Sequence, residues 1–313
     1  MSFLILHHFL SSPFSEKVRR VLAYKQLPYN SVTVPSAMPK PDVVALTAGY
    51  RRTPFLQIGA DIYCDTSLIC DVLDRIRPDP PLYPSDQSPM ARILAQWADS
   101  TLFWAAVNYN RGPHGAGYKF GPASGGLPEN ILQDRKAMGF DVDWVQPADA
   151  APAYRTYLRQ LDEQLQLNPY LLGSQPSIAD FSAYHVIWLV HLRAVAPVDL
   201  LRNCPKLQSW ADRIQTLGRE MVTDMEALHA IAVAAANVPA EAGKNFLPTG
   251  PFEDEHGAIG KPVKIMAESF GKEPTHGELV VATASHYSLR RTDARAGTVH
   301  VHFPRIGYVL KTT

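Results

Sequence analysis

The chain has 313 residues, of which 46% are hydrophobic and 19% are charged, and its 30 basic side chains are balanced by 30 acidic ones. This balance excludes the broad positive field that binding to nucleic acid or to an anionic membrane surface requires, and the apolar content excludes global disorder. Since the length suffices for two or three packed cores, we expect a multidomain protein whose partner is a small molecule or another protein.

Cysteine use and the apolar runs indicate the compartment. Cys64 and Cys70 lie in a stretch predicted to pass from strand to helix, and with Cys204 they make an odd number, so we expect buried thiols rather than a bridge. Residues 1–10 lack the basic start of a secretory signal, and the apolar run 181–192 is too short for a membrane span. The sequence therefore predicts a cytoplasmic protein.

The first part of the chain alternates strand and helix patterns. Residues 3–9 form an apolar run, and apolar side chains at helical spacing begin after Ser12, with Pro13 at the first helical position. Residues 29–34 alternate like a strand, and the three prolines in 35–41 indicate an irregular loop.

A hairpin and a second helix follow. Two apolar runs within 53–64 flank a turn that contains Gly59, and Asp65-Thr66 begins a helix with one apolar face. Four prolines within 77–84 exclude a helix and a central strand, so this segment is predicted to be a linker between domains.

The next part of the chain is predicted to be helical. Apolar and aromatic residues recur at helical spacing over 89–109, 151–167, 178–195, 205–217 and 221–236. Between the first two helices lies a long glycine-rich connection, 111–149, and such insertions serve as lids or binding loops about as often as they are plain surface excursions.

The last part changes to alternating apolar and polar residues over 262–266, 277–283 and 297–303, which predicts a small β-rich extension. The domain organisation that we predict has four parts: residues 1–77, a linker at 78–87, an all-helical domain at 88–236 and an extension at 237–313.

The junction of the first strand and first helix is the most informative place for chemistry. A hydroxyl at Ser12 would lie at the positive end of a helix dipole, where an anion is stabilised. If that anion were a ligand thiolate, the helix end and the hydroxyl would lower the thiol pKa from about 8.5 towards neutrality. The alternative is that Ser12 only caps the helix.

Several motifs in one order resemble the cytosolic glutathione transferase family over residues 1 to roughly 236. The matching residues are Ser12-Pro13-Phe14-Ser15, Lys40, Arg52, Thr53-Pro54, Asp65-Thr66 and Ser177-Ile178-Ala179-Asp180. The first motif is similar to the serine motif of the tau and zeta classes and to the Cys-Pro-Phe motif of the omega class. The resemblance implies a thioredoxin-like α/β amino-terminal domain, an all-α carboxy-terminal domain, and here an additional β-rich appendage.

The same resemblance implies the role of each amino-terminal motif. Ser12 would activate the glutathione thiolate, and a serine where omega enzymes carry cysteine argues against thiol–disulfide chemistry. Thr53 would pair its backbone with the cysteinyl part of glutathione, before a Pro54 that is cis in the family. Asp65 and Thr66 would grip the γ-glutamyl amine and carboxylate in place of the usual Glu-Ser.

Two cations are assigned by the resemblance to the glycine carboxylate of glutathione, namely Lys40 and Arg52. Each could instead be a solvated surface cation, and the proline-rich loop leaves the alignment of Lys40 open. The capping box from Ser177 to Asp180 is expected to be structural.

The second substrate of the family lies between the domains, where apolar walls are needed. The candidates for substrate binding are Phe9, Phe14, Phe103, Trp104, Tyr109 and Arg111. Aromatic residues at helical spacing are more often core residues. His7 and His8 end the first strand, and either could contact substrate or be a hydrogen-bonded core histidine.

The predicted function is a cytoplasmic, homodimeric glutathione S-transferase that uses glutathione as co-substrate against a hydrophobic electrophile, as in detoxification. The alternatives are a non-catalytic glutathione-binding scaffold, a glutathione-dependent isomerase, lyase or dehalogenase of one metabolite, and an interaction module built on the extension. No metal is expected, although His286, His300 and His302 invite that reading. A hydrolase with Ser12 as nucleophile would need a positioned base that the sequence does not provide.

Overall fold

The computed structural model describes residues 4–84, 86–111, 129–139, 147–192, 199–241, 245–248 and 250–312. The strands in these ranges are β1 (Leu4–His8), β2 (Tyr29–Thr33), β3 (Phe55–Ile58), β4 (Asp61–Cys64), β5 (Val222–Asp224), β6 (Pro262–Ala267), β7 (Thr275–Ala282), β8 (His286–Asp293), β9 (Gly297–Pro304) and β10 (Tyr308–Thr312). The α-helices are α1 (Pro13–Tyr24), α2 (Pro41–Thr47), α3 (Thr66–Ile76), α4 (Ser88–Trp97), α5 (Phe103–Arg111), α6 (Glu129–Ala137), α7 (Pro147–Gln164), α8 (Ile178–Ile187), α9 (Pro205–Thr216) and α10 (Ala227–Ala235).

The amino-terminal elements follow the predicted alternation and form a thioredoxin-like unit. Ser12 caps α1 and Asp65 caps α3, because each side-chain oxygen accepts a hydrogen bond from a backbone N–H in the first turn. Strand β1 pairs parallel with β2 and antiparallel with β3. Since side chains alternate along a strand, Phe55 and Leu56 of β3 enter different hydrophobic clusters on opposite faces of the sheet. The predicted fold class is therefore confirmed.

The helical domain packs on one face of this unit. Helices α4 and α5 are joined by a π-helical segment, Ala98–Leu102, and α8 continues into a second one, Trp188–Leu192. Asp180 is fully buried at the start of α8, where its carboxylate accepts hydrogen bonds from the backbone of Leu171 and Ser177 and from the Trp210 indole. Its role is structural, as expected.

The extension contributes five strands that continue the amino-terminal sheet. Strand β9 pairs parallel with β4, and the described strands form one sheet in the order β10-β6-β7-β8-β9-β4-β3-β1-β2-β5. The β-rich extension is thus confirmed, and β8 and β10 add to the three strands that the alternation predicted. The alternation of apolar and polar residues could not predict the pairing of β9 with β4, because the paired residues Asp61 and His300 are far apart in the sequence.

The segment 221–236 differs from its prediction. Its helix, α10, begins only at Ala227, and β5 precedes it as a parallel partner of β2, with Val222 opposite Tyr29. Ile231 and Ala234 of α10 pack in the cluster that contains the extension strands. The prediction of a helix was therefore wrong for residues 221–226. The domain limits at 77, 87 and 236 stay predictions.

The three cysteines, Cys64, Cys70 and Cys204, are free and buried, as predicted. Of the glycine-rich connection at 111–149, residues 112–128 and 140–146 lie outside the described residues.

Candidate functional site

The Ser12 hydroxyl lies at the amino end of α1, next to the start of β3. Its oxygen accepts a hydrogen bond from the backbone N–H of Ser15 at 3.2 Å, and its proton faces the carbonyl oxygen of Thr53 at 3.5 Å. The second distance is at the long limit for a hydrogen bond, so the proton remains available to a better acceptor. Antiparallel pairing of β1 with β3 brings the two segments together, and the Thr53–Pro54 peptide bond is cis. Ser12 itself is 4% exposed, so an anion bound there would be shielded from water.

Asp65 lies at the amino end of α3 and is held from both sides. One carboxylate oxygen accepts hydrogen bonds from the Ser67 backbone N–H at 3.0 Å and from the Ser67 hydroxyl at 2.8 Å. The other accepts from the hydroxyl of Tyr308 in β10 at 3.0 Å, while the Asp65 N–H donates to the Tyr50 hydroxyl at 3.1 Å. Burial raises the pKa of both tyrosines above the usual value, so both remain neutral near pH 7. Asp65 and Thr66 thus present a carboxylate and a hydroxyl side by side.

Arg52 contacts the loop between β6 and β7. Its Nε donates to the Phe270 carbonyl at 2.9 Å, its Nη2 donates to the Ser269 hydroxyl at 2.9 Å, and the guanidinium lies 4.2 Å from the centroid of the Phe270 ring. The Phe270 ring in turn meets Trp104 of α5 edge to face, with centroids 5.5 Å apart. In the described part of the chain, Arg52 forms no ion pair with a carboxylate.

Lys40 is buried in a cluster of charges that includes Arg51 and Arg135. Its ammonium donates to the Arg51 carbonyl at 3.4 Å, and burial together with the nearby charges of Arg135 and Arg51 lowers its pKa to about 8. The Arg51 guanidinium forms ion pairs with Asp134 of α6 and with Glu273 of the extension. The two neighbouring arginines therefore differ, since within the described ranges Arg51 has two carboxylate partners and Arg52 has none.

Three of the predicted substrate-wall residues lie together. The rings of Phe14 and Phe103 are 4.9 Å apart and those of Phe103 and Trp104 are 5.4 Å apart. These side chains form an aromatic cluster from the first turn of α1 to the start of α5, in which Phe103 and Trp104 are buried in the core.

Two of the other predicted wall residues, Tyr109 and Phe9, have contacts of their own in the described part of the chain. Tyr109 packs against Tyr154 of the helical domain at 5.2 Å, and Phe9 packs against the hydrophobic cluster that contains the extension strands. Arg111 ends α5, and its side chain lies outside the described residues.

The histidines at the end of β1 have partners in the core. The His7 Nε2 and the Gln57 Oε1 are 2.8 Å apart, and since the Gln57 amide donates to two carbonyls, His7 must be the donor here. His8 bonds to the Ser31 hydroxyl at 2.9 Å and lies beside the Arg19 guanidinium. Burial lowers the pKa of each to about 4, with the Arg19 charge contributing at His8. Neither histidine is placed to act as a base for Ser12.

A buried polar network joins the two domains, and sequence reasoning missed it. The Lys17 ammonium of α1 pairs with Asp99 at 2.6 Å and donates to Thr66 at 3.2 Å. Asp99 also bonds to the His185 ring of α8 at 2.9 Å and accepts from Ser182 at 3.4 Å. Burial is the largest single effect and opposes the charge on Lys17, but Asp99 together with Cys70 and Asp65 outweighs it, so the Lys17 pKa is raised.

The histidines of the extension do not form a metal site with the residues that are described. His302 bonds to Asp61 of β4 and to Ser288, each at 2.8 Å, and His286 bonds to Thr283 at 3.0 Å. No group of three or more metal-ligating side chains occurs within the described ranges. A helix able to cross a membrane was not found in those ranges either.

Comparisons with known proteins agree with this architecture. The glutathione S-transferase amino-terminal domain family matches residues 6–81, and the carboxy-terminal domain family matches residues 139–213. The crystal structure of a GST-like protein from Pseudomonas syringae is 37% identical, with a TM-score of 0.81 and coverage of 100% of both chains, so its likeness includes the extension.

Two further relatives match only part of the chain. FtsZ-localized protein A of Caulobacter vibrioides is 26% identical over 183 residues, which are 57% of this chain and 73% of that protein. The structure of a glutathione S-transferase from Methylobacillus flagellatus with bound glutathione is 21% identical, with a TM-score of 0.51 over 68% of this chain and 95% of that one, and this likeness shows the fold. On the full-length match and the two family domains, the chain belongs to the glutathione S-transferase family.

Proposed function

We propose that this protein is a glutathione transferase in which Ser12 stabilises the thiolate of bound glutathione. The observation that carries the proposal is the Ser12 hydroxyl, whose oxygen is fixed by the first turn of α1 while its proton makes only a 3.5 Å contact with the Thr53 carbonyl. A thiolate accepts a hydrogen bond better than a distant carbonyl does, and the helix end favours its negative charge. Membership of the family and the glutathione held by the Methylobacillus flagellatus relative support the same ligand.

The tripeptide would lie along the residues that the motifs predicted. Asp65 and Thr66 would bind the γ-glutamyl amine and carboxylate, and the Thr53 backbone would pair with the cysteinyl residue. Arg52 and Lys40 would face the glycine carboxylate. Charge supports this assignment, because Arg52 lacks a carboxylate partner in the described residues and Lys40 donates there only to a carbonyl.

The reaction would be a nucleophilic displacement or addition at carbon. The thiol proton passes to water, the thiolate forms a new S–C bond, and the leaving group, where there is one, departs with the bonding electron pair. Ser12 donates a hydrogen bond and forms no covalent bond. Phe14, Phe103 and Trp104 would supply the apolar surface for the electrophile. A cytoplasmic homodimer, as the family resemblance implies, is part of this proposal.

The decisive experiment is a calorimetric titration with glutathione followed by a panel of electrophiles. We expect saturable binding of glutathione and consumption of glutathione with at least one aromatic or unsaturated electrophile. Turnover of a metabolite without consumption of glutathione would instead indicate an isomerase. Failure to bind glutathione at millimolar concentration would overturn the proposal.

A non-catalytic, glutathione-binding scaffold is the second candidate. Similarity to FtsZ-localized protein A over 183 residues favours it, because that relative is named for its location with another protein. Binding of glutathione without turnover of any electrophile, together with retention of a partner protein by the full-length chain, would support this candidate.

A further inference from the structure

We propose that the carboxy-terminal extension is part of the glutathione site, with Tyr308 as a positioning residue for Asp65 and Ser269-Phe270 as positioning residues for Arg52. The inference rests on the proposed function, since it concerns how the same ligand is held. The two contacts lie at opposite ends of the expected tripeptide, one at the γ-glutamyl end and the other at the glycine end.

At the γ-glutamyl end, Tyr308 leaves Asp65 with one directed acceptor position. A carboxylate offers about four lone-pair sites. Ser67 uses two of these on one oxygen and the Tyr308 hydroxyl uses one on the other oxygen. The remaining position is available to the ligand amine. Because Tyr308 belongs to a strand of the ten-stranded sheet and is 5% exposed, its hydroxyl is held in place before a ligand arrives.

At the glycine end, the β6–β7 loop holds Arg52 without neutralising it. The acceptors that the loop offers to Arg52 are uncharged, namely the Phe270 carbonyl, the Ser269 hydroxyl and the Phe270 ring face, whereas its Glu273 pairs with Arg51. The adjacent Arg51 is the internal comparison, since Asp134 and Glu273 both pair with it. A fixed guanidinium with neutral partners retains its charge for an incoming carboxylate.

The same loop is anchored to the helical domain, and this contact fixes the position of Arg52 relative to the aromatic cluster. The Gly271 N–H donates to the Met138 carbonyl at 2.7 Å, just after α6. Gly271 has φ 58°, and a Cβ there would lie 3.0 Å from the Met138 side chain and 3.4 Å from that of Arg52, so a larger residue would be strained at this position. Phe270 therefore lies between a residue expected to bind glutathione and Trp104, which is expected to bind the second substrate.

The first arm of the test uses Tyr308→Phe, which removes only the hydroxyl. We expect the dissociation constant for glutathione, measured by calorimetry, to rise roughly fivefold to tenfold, as for the loss of one ordinary hydrogen bond. The dissociation constant for an analogue that lacks the γ-glutamyl amine should change less than about twofold, because the positioned carboxylate has no partner there. Tyr287→Phe is the matched control, since Tyr287 is a buried extension tyrosine whose ring instead faces Arg305.

The second arm uses Phe270→Ala and the milder Phe270→Leu. Each should weaken binding of glutathione more than binding of its glycine ethyl ester, which lacks the carboxylate that Arg52 would meet. A purely structural defect would weaken all ligands alike and lower the melting temperature in proportion, so equal losses for each ligand and its analogue would overturn the inference. Tighter binding of glutathione by either variant would also overturn it, because the loop would then be a cover.

The inference and the proposed function fail in different ways. Wild-type protein that binds glutathione, with unchanged constants for the Tyr308 and Phe270 variants, would overturn this inference alone. Wild-type protein that does not bind glutathione would overturn both.

Discussion

At the scale of single residues, the Ser12 hydroxyl is used twice. Its oxygen caps α1, and its proton is the group that a ligand sulfur would accept. Ser15, one turn along, has a buried hydroxyl for which the described part of the chain provides no partner. The two serines therefore form a natural pair for mutation, because they share a helix turn but differ in what their hydroxyls contact.

Replacement of Ser12 by Ala should lower kcat/KM about a hundredfold, the usual cost of losing one donor to a developing anion. The pKa of the bound glutathione thiol, followed by the ultraviolet absorbance of its thiolate, should rise. The affinity for glutathione should change little. Loss of the cap should destabilise the protein by about 1 kcal/mol. Ser15→Ala is the control and should retain full activity, since its hydroxyl has no described partner to lose. Equal activity of wild type and Ser12→Ala would refute the mechanism.

His7 should make stability depend on pH. Its pKa is lowered from 6.5 to about 4 because burial disfavours the charged ring, and the hydrogen bond to Gln57 offsets only part of this effect. Below about pH 6.5 the unfolded chain binds a proton at His7, whereas the folded protein binds it only below about pH 4. The contribution of His7 to stability is therefore complete above pH 6.5 and is lost progressively as the pH falls from 6.5 to 4. At 1.36 kcal/mol per unit, His7 alone accounts for up to about 3 kcal/mol. The melting temperature, measured every half pH unit, should fall less steeply between pH 6.5 and 4.5 in His7→Gln than in wild type, and parallel curves would contradict this expectation.

Local signals made Ser12 and Asp65 predictable, whereas their partners were not. A capping side chain bonds within three residues of itself, so its position can be read from adjacent residues. The contact of Asp65 with Tyr308 spans 243 positions, and no pattern of alternation names the partner across such a distance. The Ser-Pro pair at residues 12 and 13 indicated the start of a helix, but no pattern in the sequence indicated that Ser269 and Phe270 would contact Arg52.

At the scale of secondary-structure elements, α1 and α8 are joined by the Lys17–Asp99–His185 network. The Lys17 side chain is 1% exposed, so its charge depends on the Asp99 carboxylate. A buried ion that loses its counter-ion is far more costly than an exposed one, because water cannot replace the partner.

Asp99→Asn should therefore destabilise the protein by about 3–5 kcal/mol, seen as a lower midpoint in thermal and urea unfolding. Glu278→Gln is the matched control, because Glu278 pairs with Arg290 at 2.7 Å and the two side chains are 37% and 51% exposed. Such a surface pair contributes about 0–1 kcal/mol. Similar losses in the two variants would show that Lys17 is solvated and that the network is not the junction described above.

Elements with strong periodicity were predicted well, and the short ones were not. Helix α3 and strands β6, β7 and β9 lie close to their predicted positions, because each has several apolar residues at one spacing. Strand β5 has three exposed residues and is defined only by pairing with β2, so no internal pattern marks it. Because β5 was not predicted, its residues were assigned to the following helix, which was therefore predicted to be longer than α10 is.

At the scale of the whole molecule, the extension and the thioredoxin-like unit share a sheet and a core. Phe55, Ile62 and Cys64 pack in the same cluster as the buried residues of β7 to β10, and His302 bonds to Asp61 across the junction. The two parts should therefore unfold together.

Hydrogen exchange measured on the full chain provides the test. Backbone amides of β4 and β9 should have similar free energies of opening, because each strand covers the other. Amides of β5, a three-residue exposed edge strand, serve as the internal control and should exchange much faster. Exchange of β6 to β10 well before β3 and β4 would mean that the extension is a separate unit.

The contact between Tyr308 and Asp65 also sets an order of events during synthesis. A ribosome adds about 5–20 residues per second, so residue 308 emerges roughly 12–50 s after residue 65, across 243 positions. For that interval β4 is a bare edge, and the nascent chain presents an unpaired strand that invites aggregation. Translation that stalls within the interval would release a chain in which Asp65 lacks its contact with Tyr308 and β4 lacks its neighbour β9.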